Sequence, residues 1–257
     1  MRRTARLALA TLVLVPASAG AGTTRPPIGL TASPAHVSLV GAGRTSVAVT
    51  NRGSSALVVD VGRAGFSLDL RGQPRIVSRG GARAATSWLT VRPARLALPP
   101  GATRSLTVSS RLPARVEPGD HDALVVLTTR PRRSAGVAVR MRVGIVVVVR
   151  APGRIVRRLD VRRLAVRRMR GARTLELYVV NRGNITERLG HGRVRVALRR
   201  GRASEVLRAE PRELRPRSSG VVQFVYHGRL EGWVSATATI TASPGEPPVR
   251  RVFRAKL

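Results

Sequence analysis

Val47-Ala48-Val49-Thr50-Asn51-Arg52-Gly53 is echoed 130 residues later by Leu177-Tyr178-Val179-Val180-Asn181-Arg182-Gly183-Asn184. The first copy alternates polar and apolar side chains, the period of a strand with one buried face. Both copies stop at Asn-x-Gly, residues that turn a chain without strain. One strand-and-turn written twice predicts one kind of domain written twice.

The surrounding sequence repeats the rhythm. His36–Val40 ends at Gly41-Ala42-Gly43, Ser46–Thr50 ends at Asn51-Arg52-Gly53, and Leu57–Val61 resumes the strand pattern. Arg71-Gly72-Gln73-Pro74, Arg79-Gly80-Gly81, Pro99-Pro100-Gly101 and Glu117-Pro118-Gly119-Asp120 read as turns. Leu96–Leu98, Leu106–Val108 and Ala123–Thr128 read as strands, and Val137–Val149 as one long strand interrupted by Arg140, Arg142 and Gly144. Val143–Val149 is too short to cross a bilayer and is expected to be a core strand closing the first domain. Ala151-Pro152-Gly153 breaks the pattern; beyond it Arg193–Leu198, Val221–Tyr226 and Trp233–Thr241 are further strands, the last running to Ser243-Pro244-Gly245. Frequent turn signals without a helical stripe predict an all-β chain of two tandem immunoglobulin-like β-sandwich domains, residues 28–150 and 154–257.

One segment resists both periods. Arg157-Arg158, Arg162-Arg163 and Arg167-Arg168 are pairs five residues apart, among Leu159, Val161, Leu164, Val166 and Met169. Two strands across a bend, aliphatics inward and arginines outward, is the preferred reading; the outward face is then either solvated or a polyanion strip.

The chain opens on an export signal. Arg2, Arg3 and Arg6 form a positive start, Leu7–Val15 a short apolar run, and Ala17-Ser18-Ala19 or Ala19-Gly20-Ala21 a peptidase site. Residues 1–21 are therefore expected to be a cleaved signal peptide, with cleavage at Ala19 or Ala21, and Thr23–Pro27 a spacer. With no cysteine in the chain, disulfides, thiolate metal sites and lipid attachment are excluded. The net charge of +34 is shared, +13 on residues 28–150 and +17 on residues 151–257, and Lys256 is the only lysine. The excess of arginine reads more simply as GC-rich coding than as selection. Either way, a globule so positive attracts polyanions at low salt: outside a cell, wall polymers and anionic headgroups before nucleic acid.

Several stretches together resemble a known family: Trp88-Leu89-Thr90-Val91-Arg92-Pro93, Leu96–Gly101, Leu112-Pro113-Ala114, Pro118-Gly119-Asp120 and Ala123-Leu124, then Leu177–Asn184, Gly192-Arg193-Val194 and Gly232–Thr239. The progression resembles the bacterial WxL-interacting cell-surface proteins, with an immunoglobulin-like peptidoglycan-binding domain followed by a second immunoglobulin-like domain. That resemblance implies binding rather than catalysis, with peptidoglycan, an anionic wall polymer or a surface protein as partner, and assigns no contact residue. Those proteins usually end in a membrane-spanning helix, whereas this sequence ends at Phe253-Arg254-Ala255-Lys256-Leu257, so wall association is expected to be non-covalent or through a partner.

Catalytic chemistry is hard to find. Asp120-His121-Asp122 is the densest ionisable cluster, but adjacent strand residues point to opposite faces and cannot converge on one metal. Asp120 is expected to serve the Pro118-Gly119 turn. His36, His191 and His227 stand alone, and no nucleophile elbow or phosphate loop appears. No catalytic, cofactor or metal residue is assigned and no cofactor is expected. Trp88 and Trp233 can either stack on sugars or fill a sandwich centre; one large ring per aromatic-poor core is the preferred reading. The expectation is thus a non-catalytic, extracytoplasmic cell-envelope protein that binds peptidoglycan, a wall polymer or a surface protein. The alternative is a periplasmic pilus-type chaperone that donates a strand, with Val143–Val149 the strand lent. Nucleic-acid binding rests on charge alone, without the interleaved aromatics of single-strand platforms.

Overall fold

The computed structural model describes residues 26, 28–77, 81, 83–134, 137–169, 172–190, 192–242 and 247–257. The expected signal peptide, most of the spacer, Arg79-Gly80, His191 and Ser243-Pro244-Gly245 lie outside the described residues.

The described chain is β throughout, apart from one short 3-10 turn at Thr86–Trp88. The first half holds β1 (Leu30–Ser33), β2 (His36–Val40), β3 (Arg44–Asn51), β4 (Leu57–Leu68), β5 (Pro74–Val77), β6 (Leu89–Arg92), β7 (Arg95–Leu98), β8 (Thr103–Ser110), β9 (Gly119–Thr129), β10 (Arg132–Ser134), β11 (Val137–Val139) and β12 (Arg142–Ala151). The second holds β13 (Leu159–Met169), β14 (Ala172–Asn181), β15 (Glu187–Leu189), β16 (Val194–Arg200), β17 (Ala203–Arg208), β18 (Arg212–Leu214), β19 (Ser219–Tyr226), β20 (Trp233–Ile240) and β21 (Val249–Lys256).

Two tandem immunoglobulin-like β-sandwiches result. In the first, the sheet β1-β3-β8-β6 faces β2-β12-β9-β4-β5, with β7 also paired to β4. Val47, Val49, Leu106 and Val108 meet Val59, Leu127, Ile145 and Val147 between the layers. In the second, β13-β14-β19 faces β17-β16-β20-β21, and Leu175, Leu177 and Phe224 pack on Val196, Leu198 and Ala236. Each such aliphatic or aromatic side chain contributes about 1.5–3 kcal/mol by leaving water. These cores hold together without disulfides.

The two Asn-x-Gly turns work differently from expectation. Neither Gly53 nor Gly183 has a positive φ; the asparagines do the bonding. Asn51 is buried, its amide donating to the carbonyls of Ser55 at 2.8 Å and Leu98 at 2.9 Å while its oxygen accepts from the Gly53 amide at 2.9 Å. Asn181 donates to Ile185 and Leu214 carbonyls at 2.8 and 3.0 Å and accepts from Gly183 at 2.9 Å. Gly183 is needed for room, since a Cβ there would lie 2.4 Å from the Val156 carbonyl. The Asn51 amide ties β3 to β7 of the opposite sheet, and the Asn181 amide ties β14 to β18, which pairs with β15.

The arginine-paired segment is one strand rather than two across a bend. β13 pairs along β14 with Val161 opposite Val179 and Arg163 opposite Tyr178, so Arg162 is an extra, bulged residue. A bulge reverses the inward–outward alternation, so Leu159 and Val161 before it and Leu164 and Val166 after it reach the same core. That inserted residue accounts for the change of phase between Val161 and Leu164. Val137–Val149 is likewise two strands, β11 and β12, separated at Arg140-Met141.

Candidate functional site

β12 lies inside its sheet yet keeps part of one edge free. β9 pairs it along its whole length, Arg142 to Ala151. On the other side β2 runs parallel and covers only Val146–Arg150. Among the described residues no strand pairs with that edge of Arg142–Ile145. The Val146 amide donates to Ala35 and the Arg150 carbonyl accepts from Gly41, both at 2.9 Å on the β2 side, whereas the Met141 carbonyl accepts from Thr129 on the β9 side. Strand alternation therefore turns the N–H and C=O of Arg142 and Gly144 toward the free edge. Inward, Ile145, Val147 and Val149 are core; outward, Val146 and Val148 line a cavity between the sandwiches of about 420 Å³ with Phe66, Leu68, Thr186 and Arg215.

Polar contacts between the sandwiches hold this cavity. The Asp120 amide donates to Asn184 O at 2.7 Å, and the Asp120 carboxylate accepts from the Thr186 amide at 2.8 Å and Arg150 Nε at 2.7 Å. The Asn184 side chain donates back to Pro118 O at 3.1 Å and Arg154 O at 2.8 Å. Gly119, at φ 107°, leaves no room for a side chain, because a Cβ would sit 2.0 Å from Asn184 O. Arg215 donates through Nε to Asp122 at 2.7 Å and through Nη1 to Phe66 O at 3.0 Å, with its guanidinium 4.2 Å from the Phe66 ring. Burial pushes the Asp122 carboxyl above its usual range, against the opposing pull of Arg215.

A second junction joins the Asp69–Gln73 loop to β14 and β19. The Val221 amide donates to Leu70 O at 2.7 Å. Arg71 Nη2 and Arg167 Nε donate to Glu176 at 2.9 and 2.8 Å, and Gln223 adds a contact at 3.3 Å. Burial works to raise the Glu176 carboxyl, but the hydrogen bonds from Arg71, Arg167 and Gln223 outweigh it and hold it below the ordinary value.

The singled-out residues are therefore dispersed. Asp120 opens β9 instead of serving a free turn, and it and Asp122 face the second sandwich. His121 points the other way: its ring lies 4.4 Å from Trp88 and its Nε2 is 2.7 Å from Glu117 O. Among the described residues no group of three or more His, Cys, Asp or Glu is placed to hold a metal. Trp88 packs, partly buried, against the first core as expected. Trp233 does not fill the second; it is 53% exposed with Arg254 4.5 Å from its ring, and Phe224 takes the central place. His36 Nδ1 lies 3.8 Å from Glu213 across the junction, and His227 follows β19. Of the arginine pairs, Arg157 reaches Glu187 at 3.0 Å and Arg167 reaches Glu176, so these two are structural partners of buried acids rather than a polyanion strip. Asn184 and Glu176 were not singled out for a bonding role; an Asn and an acid in strand-end sequence look the same whether they face solvent or a second domain.

No family model matches the chain, and no curated protein is similar to it. Among solved structures, the class 5 fimbriae chaperone CfaA superposes with a TM-score of 0.52 at 11% identity, over 87% of this chain and 98% of that one. A chain of the chaperone–tip adhesin complex of CFA/I fimbriae biogenesis gives 0.51 at 11%, again over 87% and 98%. The likeness is one of fold: two tandem sandwiches. It overturns the resemblance to WxL-interacting proteins, and with it the expected function and partners, peptidoglycan, an anionic wall polymer or a wall surface protein. The physical reason is visible in the quoted residues. Trp88–Pro93 and Leu96–Gly101 pack the first sandwich, and Pro118-Gly119-Asp120 is spent on the junction rather than on an outer binding face. No helix among the described residues is long and apolar enough to cross a membrane.

Proposed function

We propose that this protein is an exported, non-catalytic chaperone of the periplasmic pilus type, which lends the free edge of β12 to an incomplete sheet in a client subunit. One observation carries the reading: an aliphatic strand in the first sandwich keeps a backbone edge, Arg142–Ile145, that no described strand occupies. Such an edge offers main-chain hydrogen bonds for affinity and alternate side chains for register. The similar folds, one a fimbrial chaperone and one from a chaperone–tip adhesin complex, support it. Residues 28–150 and 154–257 are the two units, residues 1–21 direct export, and the client is a subunit of a surface fibre.

The test removes one donor from the free edge while sparing the β9 ladder. In the native host, the chain and its Gly144→Ala variant should co-purify with a subunit, and Gly144→Pro should not while still folding. Equal client recovery by Gly144→Pro, or recovery of glycan without any protein subunit, would refute the reading.

A further inference from the structure

The outer face of the sheet β17-β16-β20-β21 carries cations in successive rows. Register places Arg208, Arg195, Thr239 and Arg250 side by side across all four strands. Two residues along, Val206 and Val252 stand in the same row, 61% and 67% exposed. The next row carries Arg199 and Arg254, and beyond it Trp233 stands beside Lys256. No outward position on these strands holds a carboxylate. Among the described residues none of the six cations makes an ion pair, although fourteen arginine–carboxylate pairs occur elsewhere.

Six cations on one face with no carboxylate among them attract an external polyanion at low salt. The array is two-dimensional: strands lie about 4.8 Å apart and like-facing residues about 6.8 Å apart along them, so the charges match a plane of anions. Between the cationic rows lie two bare valines, and at one end an indole, the side chain that settles where water meets hydrocarbon. A single-stranded nucleic acid calls for a groove and stacking platforms; the exposed aliphatics of this face match neither.

We infer that this face docks on an anionic bilayer surface, the arginines on lipid phosphates and Trp233 with Val206 and Val252 at the headgroup level. The face belongs to the second sandwich and is separate from the β12 edge, so it would keep the protein at a membrane while that edge stays free.

The experiment is sedimentation of the purified chain with vesicles of equal parts phosphatidylglycerol and phosphatidylcholine, and with phosphatidylcholine alone. Binding should need the anionic lipid and fall steeply with salt. Arg195→Gln/Arg208→Gln/Arg250→Gln should bind about a hundredfold more weakly. Arg44→Gln/Arg92→Gln/Arg104→Gln, with the same loss of net charge from exposed, unpaired sites on the first sandwich, should lose only a few-fold. In a Trp88→Phe background, Trp233 emission should shift to the blue on the vesicles. Equal losses from both triple variants, an unshifted Trp233, or stronger capture of a single-stranded oligonucleotide through the same arginines would overturn the assignment. Client co-purification by the face variant should be unchanged, which separates this result from the fate of the strand-lending reading.

Discussion

The two sandwiches are built alike inside and oppositely outside. Both are stapled by a buried asparagine at the end of a core strand, Asn51 in β3 and Asn181 in β14, whose side-chain oxygen accepts a hydrogen bond from the amide of the glycine two residues on. Yet the outer face of β1-β3-β8-β6 is mostly hydroxyls, with Arg44 and Arg92 among them; Thr50 bonds Thr103 at 2.8 Å, and Ser46 bonds Ser105. The corresponding outer layer of the second sandwich is arginine with an exposed tryptophan. Buried groups must find partners within the fold and so converge on one solution, whereas an outward side chain answers only to what it meets.

That contrast can be broken at four strengths. Gly119→Ala should do most damage, since its Cβ would meet Asn184 O in a backbone region few side chains adopt; a loss of about 4 kcal/mol is expected. Urea unfolding followed separately in each sandwich should show the two transitions drawing apart. If they stay coincident, the junction is not what couples them.

Asn51→Ala should cost about 3 kcal/mol and Asn181→Ala about 2 kcal/mol, each leaving buried carbonyls unpaired. The order follows from the third carbonyl within reach of Asn51, Pro99 at 3.2 Å. Equal or reversed costs in denaturant titration would show that the Pro99 contact adds nothing to the Asn51 staple.

Glu176→Gln should cost about 1–2 kcal/mol near neutral pH. Because the folded carboxyl titrates below its ordinary value, its contribution is complete above that value and disappears as pH falls through the lowered one. The stability gap between parent and variant should therefore narrow as the pH is lowered from about 7 to about 3. The smallest effect belongs to the hydroxyl face, where Ser46→Ala should change stability by less than about 0.5 kcal/mol.

Much of this architecture was legible as alternation and turn chemistry. The repeated Asn-x-Gly pointed to two sandwiches, and Leu57–Val61 or Ser46–Thr50 became strands where the period of two said so. What sequence reasoning missed depends on distance along the chain. Arg162 reads as one more arginine until β14 lies beside it and the register skips. Asp120 beside Pro118-Gly119 carries every mark of a turn, and only Asn184 and Thr186, arriving from the second sandwich, make it a junction. Trp233 fails for the opposite reason: Phe224 had already filled the centre, a matter of volume that no local pattern records. The free edge of β12 was half legible. Its aliphatic run marked a strand, but the short reach of β2 along it is a fact of pairing.

At both junctions main-chain atoms join the sandwiches: Asp120 N to Asn184 O, and Val221 N to Leu70 O. Peptide groups survive almost any replacement of the side chain they carry. Replacing Phe66 or Val148 in the lining therefore leaves these two bonds in place, so the shape of the cavity and the joining of the two halves can be altered separately.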